Sequence, residues 1–131
     1  MKTVKYVTIL LTVAFMGIVL LEQVPGVMTP TENPYESLMF NLFEISLVDD
    51  ITHGISGLLG LFALWGGYRA MVKYLIVMGG YYTLDALFHL VNGFATGQSF
   101  IDNILLNGPH IAISIAVYIA LRASIIRLEL K

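Results

Sequence analysis

LDALFHLVNG, residues 84–93, decides how the chain is read: an aspartate and a histidine stand four apart in a run otherwise apolar enough to enter a lipid bilayer. Residues four apart on a helix share a face about one turn up, so Asp85 and His89 act as a unit. A carboxylate inside a span costs on the order of 2.5–3.5 kcal/mol even on the gentlest insertion scale. The pair therefore calls for a partner charge, a proton or a metal ion.

The surrounding sequence identifies the solvent. Apolar residues make up 57% of the chain and charged residues only 12%, and the mean hydropathy is +0.81, far above a soluble domain of this size. Runs of span length cover about 4–24, 48–67, 71–94 and 104–124, each near the ~20 residues that cross a bilayer. The expected architecture is all-α: a single integral membrane domain over 1–131, built as a four-helix transmembrane bundle. The first run lacks a small-x-small cleavage site after its apolar core and reads as a retained span. Within MTPTENPYESLMFNLFEISL, residues 28–47, Tyr35, Leu38, Met39, Leu42 and Phe43 fall at helical spacing, which predicts a short interfacial helix in the first outer loop. Asn107, Gly108 and Pro109 interrupt the last run, so its regular part is expected to begin near Pro109, with 100–106 as a short re-entrant or interfacial piece, a continuous but kinked helix being the other option.

All seven Lys and Arg residues lie at the N-terminus, in the turn between the second and third spans, or at the C-terminus; eight of the nine acids, Glu129 excepted, lie toward the opposite side. The positive-inside rule then places both termini in the cytoplasm, in the plasma (inner) membrane. The segment RASIIRLELK after Leu121 reads as an interfacial anchor. With a net charge of -2 and no basic cluster, the chain is no nucleic-acid binder. Without cysteine, disulfides and thiolate chemistry are excluded. No H-E-x-x-H, G-x-S-x-G or phosphate-cradling glycine loop is present.

The polar residues inside the spans share depth and face. Asp49 and His53 repeat the four-residue spacing of Asp85 and His89, and Asp50 is a second partner for His53. At about 1.5 Å per residue, Asp85 and His89 lie in the outer half of the third span, His53 in the first turns of the second, and His110 at the start of the regular part of the fourth. His53, His89 and His110, with Asp85, Asp49 and Asp50, are a sufficient ligand set for a divalent transition metal such as zinc, iron, manganese or copper. A b-type haem between two histidines suits the neighbouring carboxylates less well, and a proton relay through Asp85 and His89 is a third reading. The competing structural readings are that Asp49 or Asp50 caps the second span, and that the imidazoles only bond helices together in an accessory subunit of a membrane complex. Ala112, Ala116 and Ala120 offer a close-packing face for a homo-oligomer or a larger membrane complex.

NLFEISLVDDITHGISGLLGLFA, residues 41–63, resembles a family of small bacterial four-span membrane proteins, a domain of unknown function, in which a Leu-Phe stretch leads into a helix opened by N-x-x-H and a G-L-x-G-L run. Asp50 stands where the family has asparagine; His53, Gly57, Leu58, Gly60 and Leu61 match. In FIDNILLNGPHIAI, residues 100–113, Asp102 and Asn103 match, while inserted residues displace the histidine to His110. The resemblance covers about the last two-thirds of the chain. It implies the four-span fold and no particular activity.

Overall fold

A computed structural model describes residues 2–129, with side chains described through Ile125. The anchor expected after Leu121 therefore lies partly outside the described side chains. Five helices and a small sheet follow one another in the order α1 (Lys2–Leu21), β1 (Met28–Pro30), β2 (Glu36–Met39), β3 (Phe43–Ser46), α2 (Leu47–Trp65), α3 (Tyr68–Ala95), α4 (Phe100–Leu106) and α5 (Gly108–Glu129). Among the described residues α1, α2, α3 and residues 108–125 of α5 are long and apolar enough to cross a membrane.

The expected interfacial helix is not formed. Its segment folds as a three-stranded antiparallel sheet in the order β1-β2-β3, with Met28 opposite Met39 and Met39 opposite Phe43. Helical spacing was misleading because an isolated helix shorter than ~12–15 residues is marginal, whereas turn chemistry here is strong. Asn33 Oδ1 accepts from the Tyr35 N–H at 3.1 Å, an Asx turn that reverses the chain into β2. Phe40 and Asn41 have φ of 54° and 57°, left-handed values that break any helix through 35–44 and turn β2 into β3. The fold is thus mostly helical rather than all-α. The break in the last run falls where expected: Asn107 ends α4, and Pro109 is the second residue of α5, where a missing N–H costs nothing.

Small residues set the helix crossings. α1 packs on α2 where Gly57 meets Met16 and Gly60 meets Thr12, and α3 packs on α5 where Gly79 meets Val117; a Cβ at any of the three would collide with its neighbour, so glycine permits the close approach. The core they enclose contains Phe15, Leu75, Tyr82, Val117 and Ala120. Thr8 and Thr12 are buried within it, their hydroxyls donating to the carbonyls of Val4 and Thr8 at 2.9 and 2.7 Å, which satisfies both without a partner helix. Of the alanine stripe on α5, Ala120 is consumed by the core and Ala112 is exposed. The outward faces carry Leu10, Val13, Ile55, Phe62, Leu84, Phe88, Val91 and Ile119 exposed, an apolar coat far larger than the patches a water-soluble monomer shows.

Candidate functional site

At the end of the molecule that carries the sheet, the helices part around a cavity of about 710 Å³. Phe15 and Ile18 of α1 and Ile113 of α5 supply apolar walls, and Met39, Phe43 and Ile45 of the sheet close one side. His53, His89 and His110 all line it, with Asp49, Asn92 and Asn107. Three helices expected from the sequence to bring a histidine to one layer thus bring all three to one space.

Each histidine is held differently. His53 is 7% exposed and its Nδ1 has no hydrogen-bond partner; its ring stacks on Phe15 with centroids 5.9 Å apart. Phe15 stacks in turn on Tyr82 at 5.1 Å, Tyr82 tilts against His110 at 5.6 Å, and His110 against His89 at 6.1 Å. A continuous run of rings therefore joins the three imidazoles across the bundle. Asp85 sits behind the last two. Its Oδ2 lies 2.9 Å from His110 Nδ1 and its Oδ1 3.6 Å from His89 Nε2. The His110 contact has ion-pair distance but not hydrogen-bond alignment, so Nδ1 still counts as a buried nitrogen without a hydrogen-bond partner.

The acids at the start of α2 divide the work. Ser46 is the N-cap, and Asp49 completes a capping box: its Oδ2 accepts from Ser46 N–H at 2.9 Å and from the Ser46 hydroxyl at 2.6 Å. The capping reading of Asp49 is therefore correct, and the same residue reaches the cavity. Asp50 does not; it lines a separate small recess under the sheet and lies beside Glu22, just past the end of α1. Burial, then the neighbouring Asp50 carboxylate, then Asp49, raise the Glu22 carboxyl to about 7. Because the folded value lies above the ordinary 4.5, the stabilisation is complete below pH ~4.5 and is lost as pH rises through ~7. Thermal unfolding in detergent is accordingly expected at lower temperature at pH 8 than at pH 5, and Glu22→Gln should flatten that slope. An equal slope in both proteins would show that Glu22 is not the titrating group.

The floor of the cavity at α3–α4 rests on an amide pair invisible to motif reasoning. Asn103, fully buried, donates to the Leu90 carbonyl at 2.8 Å, and Asn107 donates to Asn103 Oδ1 at 2.8 Å and to its carbonyl at 2.9 Å. Asn103 fits only because Gly93 has no side chain: a Cβ there would stand 2.5 Å from Asn103 Oδ1. A repeated D-x-x-x-H-x-x-x-G, Asp49-His53-Gly57 and Asp85-His89-Gly93, marks where a neighbouring element is admitted one turn beyond each histidine, but not which residues fill the space. Among the described residues no group of His, Asp or Glu side chains is already gathered to hold a metal ion. The chain matches no family model, no curated protein and no solved structure.

Proposed function

We propose that this chain is an integral protein of the plasma (inner) membrane, with both termini cytoplasmic and the sheet end outward, that binds a cation in the histidine-lined cavity. A divalent transition metal, whether zinc, iron, manganese or copper, is the occupant these side chains suit. The observation that carries the reading is that His53, His89 and His110 line one cavity while Asp85 contacts two of them. His110 has its Nδ1 beside the Asp85 carboxylate, which leaves Nε2 for a metal, as around a ligating histidine. The His53 Nδ1, buried without a hydrogen-bond partner, is a further free donor. To share one ion the three rings would draw inward, since they are not yet gathered.

Elemental analysis of protein purified without chelator or immobilised nickel should find about one ion per chain after metal supplementation, and less in His89→Ala and His110→Ala. A ratio near zero, or one unaffected by either loss, overturns the metal. A second reading has its own support: Asp49 completes the α2 capping box and Asp85 ties α3 to α5, so the cluster would serve only to bond helices in a non-catalytic accessory subunit. Under that reading the same variants lose stability and there is no metal to lose.

Orientation rests on the one-sided Lys and Arg distribution. The chain has no cysteine, so single cysteines introduced at Lys2 and Ser99 report it cleanly. A membrane-impermeant thiol reagent on intact cells should label only the second; the reverse pattern contradicts the assignment.

A further inference from the structure

A metal ion leaves most of this cavity unexplained. Six waters around an ion, at roughly 30 Å³ each, fill about a quarter of the 710 Å³, and the remaining walls are apolar. Cavities of roughly 300–1,000 Å³ with mostly apolar walls and a few convergent polar groups are the size and composition that hold drug-sized molecules. Apart from the imidazoles, the ionisable side chains at the polar end are carboxylates. Glu44 and Asp49 line the cavity, Asp85 stands behind His110, and among the described residues lining it there is no Lys or Arg; the described cations, Lys2, Lys5, Arg69, Lys73 and Arg122, line none of it. Phe40 and Phe43 add aromatic side chains to the wall, and aromatic rings attract cations over their faces and repel anions. His53 stands apart from this acidic rim as an independent pointer: it is more than nine-tenths buried, lines the cavity and has an unpartnered Nδ1.

We infer that the cavity takes an amphipathic organic cation, its charge toward Asp49, Glu44 and His53 and its apolar body against Phe15, Ile18 and Ile113. The inference rests on the cation reading above and names a bulkier class of occupant for the same space. Charge selects the ligand and the apolar walls supply most of its contact. A metal ion and the organic cation compete, since both draw on His53 and its acidic neighbours.

The probes are 4-phenylbutylammonium and 4-phenylbutanesulfonate, ions of like size and opposite charge that each carry the charge at one end of an apolar body, measured by equilibrium dialysis against the protein in zwitterionic nanodiscs with empty nanodiscs as the blank. Saturable binding of the cation at one per chain is expected, with the anion bound at least tenfold more weakly. Ile18→Trp, which fills the cavity from α1 without touching the cap of α2, should abolish the binding. Glu44→Gln should weaken it by about fivefold, the weight of one partly exposed ion pair. Equal binding of both probes, or cation uptake no greater than in empty nanodiscs or unchanged by Ile18→Trp, overturns the inference. Zinc binding with no 4-phenylbutylammonium binding overturns the organic cation alone and leaves the metal standing. Binding of neither overturns both.

Discussion

Phe15→Ala is expected to lower the unfolding free energy by about 3 kcal/mol, near the bottom of the range for burying and then deleting an aromatic ring. The lower end applies because a span's side chain is in apolar surroundings in both states, so that the loss is of packing rather than of transfer from water. Phe15 is fully buried and stacks on both Tyr82 and His53, and each such ring contact adds roughly 0.5–1.5 kcal/mol beyond its area. Its loss also joins the core to the cavity above it, releasing His53 from the ring that holds it. Reversible denaturation in mixed micelles measures the change. A cost below about 1 kcal/mol, the size of a surface substitution's effect, would mean that α1 does not pack on α2 and α3 as described.

Asp85→Asn is expected to weaken metal binding by about 10–100-fold, the usual cost of losing the carboxylate that orients a ligating histidine. The amide preserves shape and can still bond one imidazole, but it supplies no charge to balance an imidazole-bound cation. His110 Nδ1, 2.9 Å from Asp85, then loses the partner that leaves Nε2 free for the ion. The readout separates the two readings of the cluster. If Asp85 only ties α3 to α5, the substitution lowers stability and moves no metal affinity; if it positions ligands, the affinity falls in proportion far exceeding any change in unfolding.

Much of the fold is legible in the sequence because the bilayer leaves few options: apolar runs of span length must be helices, and the four expected spans fall within a few residues of α1, α2, α3 and α5. The break at Asn107–Pro109 is legible for the same reason, since proline declares its position in a helix. The sheet is not. Residues 28–46 lie past the end of α1, where water can satisfy the backbone and periodicity no longer decides; Phe40 and Asn41 in left-handed conformation, one of them a bulky aromatic, are set by strand pairing rather than by propensity. The candidate site divides likewise. Shared depth and face bring His53, His89 and His110 into one layer from spacing alone, and the structure opens a cavity between them. Asp49 and Asp50 are adjacent in sequence yet face different spaces, because a helix turns about 100° per residue and the capping box fixes which one points inward. The ring run through Phe15 and Tyr82, and the Asn103–Asn107 pair, depend on which helices are neighbours, and single-span patterns carry no such information.

Three imidazoles from three helices that serve one cation must respond to it as a set. The chain contains only three histidines, so ¹⁵N-histidine-labelled protein gives a spectrum of those rings and no others. On titration with zinc the ring signals of His53, His89 and His110 are expected to shift together and saturate at one equivalent. Three signals that stay in place, or a single one that moves while the other two do not, would contradict it.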